Sequence, residues 1–448
     1  MTVSDLPRRS VVRGARLAAL PAGLAGRTAL GLGKRLGGRP AEIVAAEVSE
    51  RTAQQVFRVL GELKGGAMKV GQALSVLEAA LPETMVGPYR AALTRLQDSA
   101  PPMPASTVRH VLATELGPRW ARRLAEFDDT AAAAASIGQV HRATWRGPGG
   151  PLPVAVKIQY PGAGEALLSD LTQIGRLARV IGTVVPGLEI KPVVTELRER
   201  MAEELDYLHE GDAQRRFAAA FRDDPHVLVP RVLTATPHVL VTEWVQARGF
   251  ADVIATGTGE ERDLAGNRLV EFLFAAPARA RALHADPHPG NFQLHPDGRL
   301  VVFDFGSVTV LPHGLPPAIG RLLTIAMEGD AETVLRGLQA EGFVRPRARV
   351  TADALMGYLA PFVDPVRTET FTFTREWLRG QAVRVTDLRN PQSAVGLQLN
   401  LPPEYLSISR VWLGGLGILT QLGATGGWRA ILHQWLPGFD PGKSALAP

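Results

Sequence analysis

Apolar residues follow two different rhythms along this chain. In AEIVAAEVSERTAQQVFRVLGELKG (41–65) they recur at three- and four-residue spacing, the period of a helix with one buried face. A second helix is expected after Gly65-Gly66 and a third near 83–96, before Asp98-Ser-Ala-Pro-Pro breaks the pattern. The next helix, near 104–116, meets a stop at Gly117-Pro118. From about residue 125 the rhythm shortens. QVHRATW (139–145) and LPVAVKI (152–158) read as strands joined by the turn GPGGP. A Glu- and Arg-rich helical stretch at roughly 191–220 precedes two more strand-like runs, HVLVPRVL (226–233) and HVLVTEW (238–244). After Asp252 helices return, interrupted by HADPHPGNFQLHPDGRLVVFDFG (284–306).

That order predicts an α+β fold on a two-lobed, protein-kinase-like plan. Residues 1–40 form a basic leader and 41–120 a helical N-terminal extension. Residues 121–247 form a small sheet-containing lobe, and 248–448 a mostly helical C-terminal lobe with a loop–hairpin insert. The span from Val411 to Trp428 is free of charge, but it holds six glycines and Gln421. It is short and polar for a bilayer core of about 30 Å, and it reads as a buried, glycine-packed helix pair.

Composition narrows the chemistry. Hydrophobic residues make up 46% and charged residues 21%, the balance of a folded globular protein. With no cysteine, disulfides, thiolate zinc sites, iron–sulfur ligation and cysteine nucleophiles are excluded. The net charge of +5 is unevenly spread. Residues 1–40 carry eight Arg or Lys against Asp5, a net +7, which leaves −2 for residues 41–448. A basic arm on a near-neutral body does not suggest nucleic acid. Arg13 and Arg16 interrupt any secretory apolar run, and Arg8-Arg9 is a weak twin-arginine hint. A solvated leader and a segment that touches anionic lipid both remain open. The expected location is cytoplasmic, with peripheral membrane contact allowed.

The strongest chemical signal is His284-Ala-Asp286-Pro-His288-Pro-Gly-Asn291, followed by Asp304-Phe305-Gly306. Phosphoryl transfer needs one carboxylate near the attacking hydroxyl or water, and metal ligands that clamp the phosphates. Asp286 supplies the carboxylate. Asn291 supplies one magnesium ligand, and Asp304, 13 residues later across a hairpin, the second. Hard oxygen ligands in so sparse a set suit Mg²⁺. His284 and His288 have the four-residue spacing of helical zinc pairs, but Pro287 and Pro289 forbid a regular helix there. His284 is expected to be structural. Lys157 ends the apolar strand VAVKI, from which it can reach the α- and β-phosphates of ATP or ADP. It needs an acidic partner, and Glu196, Glu199, Glu203, Glu204, Asp206 and Glu210 are all available. Where a glycine-rich loop would cradle phosphate, this chain has Ala131-Ala-Ala-Ala134-Ala135-Ser136-Ile-Gly138-Gln139. Alanine methyls stiffen such a loop, which points to altered nucleotide preference or slow transfer; a helix start or a packed turn is the plain alternative. Glu243, at the end of HVLVTEW, joins Ala134, Ala135 and Ser136 among the candidate nucleotide contacts.

Together these residues resemble the UbiB family of atypical kinases, linked to ubiquinone biosynthesis and isoprenoid-lipid metabolism. Lys69-Val-Gly71-Gln72 looks like the family's K-x-G-Q signature. Leu96-Gln97-Asp98 with Pro101-Pro102, the alanine loop, and Glu204-Leu-Asp206 match further family segments. The resemblance covers roughly residues 40–430. It implies that Glu204 partners Lys157, that Lys69 and Gln72 point into the nucleotide pocket, and that the extension covers the active site. It also implies nucleotide binding, slow ATP hydrolysis and lipid interaction rather than protein phosphorylation. Two other readings stand beside an ATP-dependent enzyme. One is a pseudokinase-like regulator that binds nucleotide and lipid without turnover. The other is a small-molecule phosphotransferase, whose catalytic loop also reads H-x-D-x-H-x-x-N.

Overall fold

The computed structural model describes residues 102–135, 137–164, 205–344, 348, 350–386, 392, 395, 398–400 and 403–442. Lys69, Gln72, Ser136 and Glu204 lie outside the described residues, as do the basic leader and nearly all of the helical extension. The described chain falls into two compact units, 102–207 with 235–240, and 208–234 with 241–442.

The first unit opens with α1 (Ala105–Leu116), which buries Val108 and Leu112 one turn apart and ends at Gly117, φ +86°. Two short strands, β1 (Leu124–Ala125) and β2 (Ala133–Ala135), lead into the long hairpin of β3 (Gly138–Gly147) and β4 (Gly150–Gln159). That hairpin turns on Pro148-Gly149 and holds register from Gly147↔Gly150 to Gly138↔Gln159, placing Lys157 opposite Val140. Val154, Val156 and Ile158 alternate into the interior, as the period of two requires. β1 and β2 both pair antiparallel with β3, so the alanine-rich segment is a strand, not a free loop. The other edge of β4 is met by residues 235–240, where Gln159 N donates to His238 O at 3.0 Å.

A buried relay ties the approach to α1 to this sheet. Met103 N donates to Gln139 Oε1 (2.8 Å), Gln139 Nε2 to His141 Nε2 (2.7 Å), and His141 Nδ1 to Asp128 O (2.8 Å). Each partner fixes the next, so the imidazole must carry its proton on Nδ1.

The second unit begins with α2 (Tyr207–Ala220, from Leu208) and β5 (Val227–Leu228); β6 (Val232–Ala235) and β7 (Val239–Glu243) run into and out of residues 235–240 of the first unit, and β8 (Arg248–Gly249) follows. The run HVLVPRVL, read as one strand, is divided. Pro230 has no N–H for a ladder, and β5 pairs parallel with β11 while β6 neighbours β7. α3 (Phe250–Thr256) and α4 (Gly259–Arg279) follow. α4 starts in a capping box, with Glu261 N donating to Thr258 Oγ1 and Thr258 N to Glu261 Oε2. Leu269, Phe272, Leu273 and Ala276 form its buried stripe.

Next come β9 (Ala282–His284), β10 (Phe292–Leu294), β11 (Leu300–Val302) and β12 (Val308–Val310). β10 and β11 are the central strands of a four-stranded sheet, while β9 pairs with β12. The remainder is helical: α5 (Pro317–Glu328), α6 (Ala331–Ala340), α7 (Ala352–Arg367), β13 (Phe371–Thr372), α8 (Arg375–Thr386), α9 (Pro403–Leu422), β14 (Thr425–Gly426) and α10 (Trp428–Trp435). The charge-free span Val411–Trp428 is therefore the second half of α9, a short strand and the start of α10. No described helix is long and apolar enough to cross a membrane. A core of Phe217, Phe250, Phe272, Phe292 and Phe305 sits directly beneath the β9–β12 segment.

Candidate functional site

The HADPHPGN loop is pinned at both ends. Ala285 N donates to Ser307 O (2.9 Å), and Phe303 N to Asn291 O (2.9 Å), so Asp286–Asn291 and Asp304–Gly306 belong to one hydrogen-bonded assembly. The prolines restrict the loop to a single 3₁₀ turn, Pro289–Asn291, capped where His288 Nδ1 accepts from Gly290 N at 3.1 Å. The two histidines do not share a helical face. Among the described residues no group of three or more His, Asp or Glu is arranged to hold a metal ion.

Asn291 is 5% exposed, and both hydrogen bonds of its Nδ2 go to Asp286: 2.9 Å to the backbone oxygen and 3.1 Å to Oδ2. This does two things. It fixes the orientation of the Asp286 carboxylate, and it turns the amide so that Oδ1 faces the other way, with no hydrogen bond of its own. Asp304 sits at φ +56°, in the left-handed region, with Oδ1 accepting from Gly306 N at 3.2 Å. Its backbone oxygen accepts from His284 Nε2 at 2.9 Å.

His284 is fully buried and does the structural work expected of it. Nε2 faces the Phe303 and Asp304 carbonyls, so it carries the proton, and Nδ1 is buried with no partner. Burial pushes its pKa below the ordinary value, against the opposing pull of the Asp286 and Asp304 carboxylates, and the ring is neutral. Its face packs against Phe272, Phe292 and Phe305. Phe305 lies between His284 and Phe217, its ring centroid 4.9 Å from that of Phe217.

Two contacts behind the loop were not foreseen from the sequence. Arg410 Nη2 donates to Ala285 O at 3.0 Å, and Gly414 packs so close to Pro287 that an added Cβ would lie 2.4 Å from the ring Cγ. Both project from α9, one turn apart. A glycine inside an apolar helix was the available signal, since it marks a close approach.

The other expected site residues within the described chain lie in the first unit and at the end of β7. Lys157 lies on β4 with Nζ 5.0 Å from the centroid of the Tyr207 ring. Ala134 and Ala135 lie on β2, paired with Gln139 and Gly138. Gly138 is not a flexible cradle. A Cβ there would lie 2.2 Å from Ile158 O and 2.9 Å from the Tyr207 hydroxyl, so glycine is required by packing. The Glu243 carboxylate is committed to Arg231, accepting from its Nε at 2.7 Å and its backbone N at 3.0 Å.

The family model of the ABC1 atypical kinase-like domain matches residues 95–338, more than half of the chain. This chain belongs to the ABC1, or UbiB, family. The HADPHPGN loop and Asp304-Phe305-Gly306 both lie within the matched residues. Relatives include the mitochondrial atypical kinase coq-8 of Caenorhabditis elegans, 29% identical over 76% of this chain and 46% of that protein. The chloroplastic protein ACTIVITY OF BC1 COMPLEX KINASE 1 of Arabidopsis thaliana is 34% identical over 59% of this chain and 39% of that protein. The chain therefore spans less than half the length of these curated relatives. A solved complex of Rv3197 with erythromycin, from Mycobacterium tuberculosis, is 43% identical with a TM-score of 0.69, covering 89% of this chain and 99% of that one.

Proposed function

We propose that this ABC1 protein binds ATP or ADP with Mg²⁺ and catalyses slow phosphoryl transfer, to water or to a small acceptor, in isoprenoid-lipid or quinone metabolism. The observation that carries the reading is the Asn291 amide, whose nitrogen is held by Asp286 while its oxygen makes no hydrogen bond. An amide oxygen and the Asp304 carboxylate are the hard donors Mg²⁺ takes when phosphates and water complete its shell. Bound there, the ion supplies charge neutralisation for the phosphates. Asp286, oriented by Asn291, accepts the proton of the attacking hydroxyl or water. His284 keeps the Asp304 backbone in its left-handed turn. Lys157 with Glu204, together with Lys69, Gln72, Ala134, Ala135, Ser136 and Glu243, supply the remaining nucleotide contacts on the strength of the motif resemblance.

The test is a thermal-shift titration with Mg·ATP and Mg·ADP on wild type and Asp304→Asn. A ligand at 100 times its Kd adds about 2.7 kcal/mol. A shift in wild type that is lost in Asp304→Asn supports the reading; no shift with either nucleotide refutes it. Turnover that survives in Asp286→Asn refutes the role given to Asp286. A protein that binds nucleotide without any turnover is the pseudokinase-like regulator instead. Because the Mycobacterium tuberculosis relative was solved with erythromycin, the titration includes a macrolide arm.

A further inference from the structure

The helices of the second unit do not close fully on one another. Side chains of α4, α5, α7, α9 and α10 enclose a cavity of about 650 Å³. Close-packed interiors leave few voids larger than a water molecule, and this volume lies within the range of small-molecule sites, about 300–1,000 Å³. It opens to solvent beside Asn400 and Leu413, the latter 52% exposed. Its wall is almost entirely aliphatic and aromatic, and among the described residues no charged side chain lines it. A carboxylate, phosphate or ammonium group inside would lose its hydration without gaining a counter-charge. Water gains little there either, because a buried water needs two to four polar partners.

One polar group in the wall makes no hydrogen bond. The Trp412 indole N–H is buried without an acceptor, and its ring lies tilted against Phe274 with centroids 5.1 Å apart. The second tryptophan of the wall differs, since Trp428 Nε1 donates to Phe371 O at 2.8 Å. A buried donor left without an acceptor is destabilising and rare, so it calls for a partner.

We propose that this cavity binds an uncharged, predominantly apolar small molecule carrying a hydrogen-bond acceptor, which receives the Trp412 N–H. The wall supplies apolar contact and aromatic faces, the lack of charge excludes ionic amphiphiles, and Trp412 sets the orientation. The site is separate from the Asp286–Asn291–Asp304 assembly, and its test involves no nucleotide.

Two uncharged fluorescent probes separate the claims on the full-length chain: Nile red, which carries a carbonyl acceptor, and pyrene, which carries none. Both are expected to bind wild type. Leu416→Trp, which fills the cavity, should abolish both signals; should that variant not fold by circular dichroism, Leu413→Trp at the exposed rim serves instead. Trp412→Phe should weaken Nile red roughly tenfold, the worth of one hydrogen bond, and pyrene less than twofold. Undiminished probe binding in a folded filling variant, or no binding to wild type, overturns the site. Equal effects of Trp412→Phe on both probes overturn the anchoring role of the N–H. Tighter binding of the anionic probe ANS, lost in the filling variant, overturns the assignment to uncharged ligands.

Discussion

Replacing Gly414 by alanine sets two known effects against each other. Within a helix, Gly→Ala normally stabilises by about 0.8–1 kcal/mol. Gly380, in α8, has nothing within 4 Å of an added Cβ, and Gly380→Ala should show that gain. At Gly414 the new methyl would sit 2.4 Å from Pro287 Cγ and 3.3 Å from Pro287 O. Carbon atoms in contact lie about 3.5–4.0 Å apart, so roughly 1 Å of movement is needed. The proline ring can supply part of it by changing pucker, and the rest falls on the backbone of the loop or of α9. Overpacking costs about 1–3 kcal/mol, which cancels the helix gain and leaves a net change between zero and about 2 kcal/mol of destabilisation. The larger consequence is local, because Pro287 stands between Asp286 and Asn291. A displacement of ~1 Å at a reacting group can cost about 100-fold in rate. Hydrogen exchange of residues 285–292, with ATP turnover beside it, reads the effect. Faster exchange in the loop with little global change is expected. If Gly414→Ala stabilises the protein as Gly380→Ala does and leaves the loop's exchange untouched, the close approach of α9 is not what positions the loop.

Three further outcomes are expected. Gly138→Ala should raise amide exchange across β3 and β4 about 30- to 150-fold, the equivalent of ~2–3 kcal/mol of overpacking against the Ile158 carbonyl; an unchanged hairpin would show that the close approach does not require glycine. Because burial lowers the pKa of His284 in the fold, below about pH 6.5 the unfolded chain takes up a proton that the folded chain refuses. Stability should therefore be insensitive to this group above that pH and fall below it, by at most ~1.4 kcal/mol per unit, a slope that denaturant melts should find reduced in His284→Gln. At Asp304, asparagine keeps an acceptor for Gly306 N–H and tolerates φ +56°, whereas alanine does neither. Asp304→Asn should match wild-type stability within ~0.5 kcal/mol and Asp304→Ala should lose ~1–2 kcal/mol, while both abolish the Mg·ATP thermal shift; equal stabilities would show that the backbone conformation carries no cost.

Elements with a strong local period were legible in the sequence. The helix after Pro104 and the hairpin either side of Pro148-Gly149 follow from spacing and turn chemistry alone, and the structure places them at Ala105–Leu116, Gly138–Gly147 and Gly150–Gln159. The loop–hairpin motif was legible because two prolines and a D-F-G leave few conformations. What could not be read was tertiary. Nothing local to Arg410 or Gly414 says that they back a loop more than 100 residues earlier. Gln139 and His141 read as motif letters, yet their side chains form a buried relay to Met103 and Asp128. Pro230 warned that HVLVPRVL could not be one central strand, but not which sheet would take each half.

The departures from ordinary backbone and hydrogen-bond rules gather in one place. Among the described residues three non-glycine positions have positive φ, and two of them, Arg281 and Asp304, flank the strands that carry the HADPHPGN loop. The unpartnered Nδ1 of His284 lies between them in sequence. A left-handed aspartate and an unsatisfied buried acceptor each cost of order 1–3 kcal/mol, and a chain optimised for stability alone would use glycine at 304 and an apolar residue at 284. Neither replacement would serve the arrangement seen. Glycine would leave no carboxylate, and an apolar side chain would release the carbonyl that holds Asp304 in its turn. The surrounding phenylalanine core supports the strain: Phe272, Phe292 and Phe305 pack on the imidazole, and Phe217 packs on Phe272 and Phe305. Strain concentrated beside a carboxylate–amide pair, and supported from below by deeply buried rings, marks this segment as one held for a purpose other than stability.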